Sequence, residues 1–401
     1  MKKGWQTKQL GDVAVVGAGN SAPQDEALFE DGTIPFFRTA DAGRVRFGDI
    51  AESSDYLNDK GVKGLRRFAP GTILFPKSGA STFLNHRVML GVEGCVSSHL
   101  ATIVADEKQA HPRFLLYFLS TVAAQDLVQD HAYPSLNLPT IAGIEVHLPP
   151  LAEQQRIVGL LDEAFEGLAT AKANAEKNLQ NARALFESHL QSVFTQRGPG
   201  WKATTLGAEI DLLAGFAFKS PRYTNDDDDI RLLRGDNIIQ GCLRWDDVKR
   251  WPADDAEEYE RYQLEEGDVV LAMDRPWVKA GLKHATISAD DLPSLLVQRT
   301  ARLRGGANLD NRFLKLLIGS SAFTAHILGV QTGIGVPHIS GQQIKDFEFA
   351  RPPIGDQRRI ADNLESLREE TQRLARLYER KLAALEALKK SLLHQAFTGA
   401  L

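Results

Sequence analysis

Two kinds of apolar pattern alternate along this 401-residue chain. Short runs such as Thr72-Ile73-Leu74-Phe75 and Ala101-Thr102-Ile103-Val104 lie between Gly, Pro and Ser residues and predict buried strands. Residues 114–128 follow Pro112 and place Leu115, Leu116, Phe118, Leu119, Val122 and Leu127 at helical spacing, which predicts a helix. Residues 153–194 have a longer period. Ile157, Leu161, Ala164, Leu168, Ala171, Ala175, Asn178, Ala182 and Leu185 recur at alternating steps of four and three, the spacing of a coiled-coil seam. Such a helix, about 42 residues long, runs about 60 Å at 1.5 Å per residue.

The whole pattern then returns. Gly4-Trp5 and Leu10-Gly11 reappear as Gly200-Trp201 and Leu206-Gly207, and the strand Ile73-Leu74-Phe75 as Val269-Val270-Leu271. Arg113-Phe114-Leu115 reappears as Arg312-Phe313-Leu314, ahead of a helix running to Leu328. Adding 203 to each seam position gives Ile360, Leu364, Leu367, Thr371, Leu374, Tyr378, Lys381, Leu385 and Leu388. So long a period means two copies of a whole module, each a globular part followed by a long helix. The alanine-rich first seam and leucine-rich second favour pairing of the two helices with each other, over an ordinary linker or a homodimer zipper. The first helix leads into the second module at Gly198-Pro199-Gly200 and the second must return, so the pair is antiparallel. The expected fold class is α+β: two homologous mixed α/β modules joined by two long antiparallel coiled-coil helices. The expected boundaries are residues 1–150, 151–199, 200–352 and 353–401.

Composition narrows the function. A hydrophobic content of 43% is ample for substantial cores. No run of about eighteen apolar residues is present, so no membrane partner is expected. Met1-Lys2-Lys3-Gly4-Trp5 lacks the apolar stretch of a signal peptide, and the expected location is cytoplasmic. Cys95 and Cys242 do not match under the repeat, which implies neither a disulfide framework nor a thiolate metal site; both are expected to be buried. The net charge of −5 argues against a generic nucleic-acid coat, yet its distribution is uneven. Residues 60–92 contain no Asp or Glu but do contain Lys60, Lys63, Arg66, Arg67, Lys77 and Arg87. A matching basic excess runs from Arg275 to Lys315.

Pro149-Pro150-Leu151-Ala152-Glu153-Gln154-Gln155-Arg156-Ile157 opens the first long helix and Pro352-Pro353-Ile354-Gly355-Asp356-Gln357-Arg358-Arg359-Ile360 the second. With Thr332-Gly333-Ile334-Gly335-Val336-Pro337-His338-Ile339 and the ending Leu393-His394-Gln395-Ala396-Phe397-Thr398-Gly399, the doubled chain resembles, over its full length, the specificity subunit of type I restriction-modification systems. The resemblance implies that the modules are two target recognition domains, each reading half of a bipartite target in double-stranded DNA, with the helical pair fixing the unspecified spacer. It also implies assembly with two modification (methyltransferase) subunits and with restriction subunits that translocate and cut DNA using ATP. One departure is Ala132-Tyr133-Pro134-Ser135-Leu136-Asn137-Leu138, the first-module counterpart of the Thr332 segment. It lacks the glycine pair, which speaks against a shared backbone role.

The chain carries neither an Asn/Asp-Pro-Pro-aromatic methylation motif nor a Walker phosphate loop, so it is expected to catalyse nothing itself and to need no cofactor. Val13-Ala14-Val15-Val16-Gly17-Ala18-Gly19 imitates a dinucleotide fingerprint. No helix pattern follows, and the repeat counterpart, residues 210–216, lacks the glycines, so a tight turn is expected. Asp226 to Asp229 is expected to be a solvated loop. Arg38 and Arg234, and Asp41 and Asn237, match across the repeat and are assigned structural roles. DNA contacts are expected from Lys60, Lys63, Arg66, Arg67, Lys77, Ser78, Asn85, His86, Arg87, Tyr133 and Asn137 in module one. In module two they are expected from Arg275, Trp277, Lys279, Lys283, Gln298, Arg299, Thr332 and His338. Basic groups suit phosphates, Arg and Lys also suit guanine edges, and Asn and Gln suit adenine. Lys172, Glu176, Arg183 and Glu187, with Glu369, Arg373, Arg376 and Arg380, are expected on outward faces that carry the modification subunits. The competing reading from these residues is a two-headed adaptor that binds protein instead of DNA.

Overall fold

A computed structural model describes residues 4–196, 198–333 and 335–401. Met1, Lys2 and Lys3 of the N-terminal segment, and Ile334 of the Thr332–Ile339 stretch, lie outside the described residues. Two compact units are formed, one from residues 1–176 and 380–401, the other from residues 177–379.

In the first unit, a five-stranded sheet has the order Ala14–Ala18, Leu100–Ala105, Ile73–Pro76, Arg87–Leu90, Phe47–Ile50. A second sheet has the order Tyr56–Leu57, Ile34–Phe37, Gly94–Val96, Arg67–Phe68 and contains a parallel pair, 34–37 with 94–96. The second unit repeats this with four strands, Ile210–Ala214, Thr300–Gly305, Val269–Ala272, His284–Thr286, and a three-stranded sheet in which Ile230–Leu233 runs parallel to Ser294–Leu296. In each unit a two-stranded ribbon pairs the first strand with the strand before the long helix: Gln6–Gln9 with Glu145–Leu148, and Lys202–Thr205 with Glu348–Arg351. The cores lie where the larger sheet meets the helix that follows it. Ile73, Phe75, Ile103, Phe114 and Leu115 fill one, and Val269, Leu271, Leu303, Phe313 and Leu314 the other.

The Gly17-Ala18-Gly19 segment is a strand end and not a tight turn, because residues 14–18 pair with residues 101–105. A methyl group on Gly19 would lie 2.1 Å from the Val96 carbonyl oxygen, so no larger residue passes that crossing. Gly215 meets the Val297 carbonyl oxygen at the same 2.1 Å, so one of the two glycines does return in the second copy. The helix expected over 114–128 ends early, spanning Pro112–Thr121 and giving way to a 3₁₀ turn at Ala124–Asp126. Asn85 ends it: its side-chain oxygen accepts from the Ala124 amide at 2.8 Å, replacing a helical acceptor. The second copy breaks at Gly319, between Asn311–Ile318 and Ser321–Val330.

The long helices span Leu151–Thr195 and Ile354–Thr398. Within the first unit Lys172 bonds Glu386 at 2.9 Å, and the Lys389 ammonium lies 4.6 Å from the Phe47 ring and 5.2 Å from the Phe165 ring. Within the second unit Arg183 bonds Glu379 at 2.7 Å and Arg368 lies 5.2 Å from the Phe186 ring. In both units one partner number falls as the other rises, so the segments pair antiparallel. Lys172 and Arg183 thus bridge the helices and are not free on an outer face. The apolar seam follows the expected positions to Ala175 and meets them again at Ala182. It continues through Leu179, Ala182, Phe186 and Leu190, leaving Asn178 exposed and Leu185 half in solvent. The second helix shifts at the matching point, from Lys381 to Leu382, and leaves Leu388 equally exposed. A straight helix of 3.6 residues per turn drifts by about 20° per heptad against a 3.5-residue repeat, which is enough to exchange seam positions after three heptads.

Each long helix is fastened by one glutamine of its opening motif. Gln154 is fully buried; its amide donates to the carbonyls of Gln109 (2.9 Å) and Pro149 (2.8 Å), and its oxygen accepts from the His111 amide (2.7 Å). Gln357, also fully buried, repeats the triad with Asn308 (2.8 Å), Pro352 (2.8 Å) and the Asp310 amide (2.9 Å). No other side chain offers this length with both donor and acceptor at its tip. Arg38 and Asp41 are structural as expected: the Asp41 carboxylate accepts from the Arg38 amide at 2.8 Å, and Asn237 does the same for Arg234 at 3.1 Å.

Other expectations need correction. Cys95 is buried, but Cys242 is exposed at the turn where the Ile239 amide reaches the Cys242 carbonyl. Asp226, Asp227 and Asp228 are exposed, as expected of a solvated loop, but the tract is also tied to its surroundings. Asp227 pairs with Arg250 at 2.8 Å, and Asp229 accepts from the Ala253 amide at 2.9 Å and the Thr224 hydroxyl at 2.5 Å.

Candidate nucleic-acid interface

In each unit, the turn after the central strand is laced to the segment before a short helix. In the first, the Lys77 amide donates to the His99 carbonyl (3.0 Å), Leu136 donates to the Lys77 carbonyl (2.8 Å), and Gly79 donates to the Pro134 carbonyl (2.8 Å). In the second, Met273 donates to Arg299 (2.9 Å), Ile339 to Met273 (2.9 Å) and Arg275 to Pro337 (2.7 Å). The bonds correspond one to one, so Ala132–Leu138 and the Thr332 segment do share a backbone role despite the missing glycines. Asn137 and Ser340 each cap the short helix that follows, accepting from Thr140 (2.8 Å) and Gln343 (3.2 Å).

Lys77, Ser78, Tyr133 and Asn137 are therefore neighbours, with Tyr133 83% exposed. Lys60, Lys63, Arg66 and Arg67 are exposed on the strand-edge loop, where Arg67 pairs with Glu93 at 3.3 Å. This loop connects to the laced turn through Asn20, whose side chain accepts from the Arg66 amide (3.0 Å) and whose carbonyl accepts from Ser98 (2.8 Å).

Asn85 and Arg87 belong elsewhere. Arg87 is fully buried over the Phe75 ring at 3.5 Å, its guanidinium donating to the carbonyls of His86 (2.8 Å) and Val122 (3.3 Å). Burial pulls its pKa well down from the ordinary guanidinium value. Asn85 closes the helix end and bonds Gln125 at 2.9 Å. His86 is half-buried between Arg46 and Arg87, and burial followed by those two charges lowers its pKa, keeping it neutral. The basic run was legible in the sequence; which members turn inward was not, because Arg87 and Lys77 look alike without a register.

Module two concentrates its candidates around Asp274. His338 Nδ1 lies 2.6 Å from its carboxylate and Arg299 lies 3.3 Å away. Thr332 and His338 exchange backbone bonds of 2.9 and 2.7 Å. Trp277 and Leu282 pair in a hairpin that carries Lys279 at its exposed tip, and the Lys283 amide returns to the Pro276 carbonyl at 2.8 Å. The Lys283 ammonium is half-buried, and desolvation lowers its pKa. Gln298 is exposed beside Arg299. Asp274 does not stand out in the sequence as the carboxylate that His338 and Arg299 share, since one Asp among many has no periodicity.

The backbone at two arginines is unusual. Arg275 has φ of 45° and Arg299 of 67°, left-handed values that cost a side-chain-bearing residue energy. At the position of Arg275 the first module has Gly79, at φ of 75°. The second module thus keeps a guanidinium where glycine would be easier.

A doubled α+β module, each copy clamped to one of two antiparallel long helices, defines an architecture shared with solved structures. A chain from a type I restriction-modification system, described for its complex assembly and conformational transition, matches with a TM-score of 0.75 and 18% identity over 100% of this chain and 99% of that one. The HsdS subunit of Thermoanaerobacter tengcongensis matches with a TM-score of 0.65 and 18% identity over 100% and 98%. Residues 2–179 match the family described as type I restriction modification DNA specificity domain. The Escherichia coli EcoAI specificity subunit is 40% identical over 42% of this chain, a match that spans only 28% of that subunit. The Methanocaldococcus jannaschii MjaVIII specificity subunit is 23% identical over 98% of this chain and 92% of its own length. Residues 2–179 thus carry a type I restriction modification DNA specificity domain, and the chain as a whole is similar to type I specificity subunits in fold and in sequence. Among the described residues no single helix is long and apolar enough to cross a membrane.

Proposed function

We propose that this chain recognises a bipartite DNA target and scaffolds modification and restriction subunits that carry the methyltransferase and nuclease chemistry. Residues 1–150 and 200–352 are its two target recognition domains, residues 151–199 and 353–401 its spacers, and the cytoplasm its place of work. The observation that carries the reading is the laced turn, present in both units with the same hydrogen bonds and with different side chains mounted on it. A conserved mount with variable side chains is what two modules need to read two different half-sites.

In the first module Lys60, Lys63 and Arg66 face phosphates, while Lys77, Ser78 and Tyr133 approach base edges. Asn137 supports them as a helix cap, and Arg87 and Asn85 are inner supports without DNA contact. In the second, Arg275, Trp277, Lys279, Gln298 and Arg299 approach the duplex, with Thr332, His338 and Lys283 setting their positions. The test is base-resolution mapping of N6-methyladenine in cells expressing the chain with its modification subunit. A two-part motif is expected, of which only one half changes when residues 1–150 are exchanged. Absence of any methylated motif, with the modification subunit active beside another specificity chain, would overturn the reading and leave the protein-binding adaptor in its place.

A further inference from the structure

Arg87 and His284 occupy the same strand position in the two units, each preceding the residue that pairs with the central strand, Val88 with Leu74 and Ala285 with Val270. The Arg87 side chain is long enough to fill its surroundings and finds two carbonyls. His284 is shorter, and a cavity of about 170 Å³ opens beside it. The first long helix contributes Phe186 and Glu187 to the lining, the second Arg368, the helix Asn311–Ile318 its Lys315, and the strand His284 and Thr286.

The chemistry of this lining is one-sided. Among the described residues neither Lys315 nor Arg368 has a carboxylate at ion-pair distance; Arg368 rests on the Phe186 ring instead. His284 Nδ1 and Thr286 Oγ1 are both buried without a hydrogen-bond partner in the protein. Leaving such groups unpaired is costly, so a site that gathers two of them beside two cations is built to be satisfied from outside. Desolvation, then Arg368 and Lys315, hold His284 neutral, its pKa down to about 4, so it can donate one hydrogen bond without adding charge. Desolvation lowers the Lys315 pKa as well, with Arg368 adding to it and Glu365 opposing it.

We propose that this cavity is a binding site for a phosphoryl dianion, held by the Lys315 and Arg368 cations and by hydrogen bonds from His284 and Thr286. Two cationic side chains attract a dianion, and a volume of 170 Å³ admits a phosphate group with its nearest waters. Glu187 is the one carboxylate in the lining, and it opposes binding. The group is either a free phosphate compound or a phosphate of the DNA backbone.

The experiment is calorimetric titration of the full-length chain with inorganic phosphate at constant ionic strength, with chloride as the control. Saturable one-to-one binding is expected. Lys315→Gln and Arg368→Gln should each weaken it about tenfold, the loss of one charge-assisted contact. Glu187→Gln, a change on an exposed helix position, should tighten it, and this gain guards against variants that merely misfold. Repeating the titration with a duplex oligonucleotide present assigns the source: displacement of phosphate points to the DNA backbone, undiminished binding to a free phosphate compound. No saturable heat, or the same affinity in all three variants, overturns the site and leaves the DNA-recognition proposal standing on its own test.

Discussion

Gln154 and Gln357 show how much one side chain can hold. Each satisfies three main-chain groups, and truncation strands a buried donor and two acceptors together. Gln154→Ala and Gln357→Ala are each expected to cost about 3 kcal/mol, measured as a drop in the denaturation midpoint of the unit that carries the change. Arg275 makes the opposite case. Replacing it with glycine relieves a left-handed backbone and should stabilise the chain by about 1 kcal/mol in thermal unfolding. If the guanidinium touches DNA, Arg275→Gly should at the same time lose methylation of the half-site read by the second module. Stability rising while that half-site is retained would remove Arg275 from the interface.

At the scale of elements, the two long helices separate packing from charge. Leu161 and Leu364 are buried in the seam, whereas the Lys172–Glu386 and Arg183–Glu379 pairs are half exposed. Exposed pairs contribute about 0 to 1 kcal/mol, while truncating a buried leucine costs about 2 to 5 kcal/mol. Leu161→Ala should therefore lower the unfolding midpoint severalfold more than Arg183→Ala. The sequence revealed these helices because their period persists over six turns and more, and it revealed the strands because Gly and Pro bracket them. The seam drift after Ala175, the early stop at Thr121 and the burial of Arg87 escaped it. The first follows from the helix repeat itself, and the other two depend on partners distant in the chain, Asn85 with Ala124 and Arg87 with Phe75 and Val122. The laced turns escaped for a related reason, being made by main-chain bonds that leave only Pro134 and Pro337 as a trace.

For the molecule as a whole, the proposed role of the helices as a spacer is open to a direct change of length. Inserting four residues at matched seam positions of both helices adds about 6 Å, on the order of one to two base-pair rises. The methylated motif should keep both halves and widen its gap; an unchanged gap would separate helix length from target spacing.

The aromatic and cationic partners described earlier carry a rule about ancestry. Phe165 meets Lys389 in one unit and Arg368 meets Phe186 in the other, although residues 165 and 368, like 186 and 389, are repeat equivalents. The duplicated copies have thus exchanged roles, one supplying rings and the other charges. Two copies of residues 200–401 pairing with each other would set Arg368 against Lys389 and Glu379 against Glu386. Two copies of residues 4–196 would set Phe165 against Phe186, which repels nothing. The C-terminal half should accordingly stay monomeric in sedimentation and pair only when the N-terminal half is added. The halves have specialised like the two sides of a clasp, and the change fixes as one gene what a self-associating half could once have done by doubling.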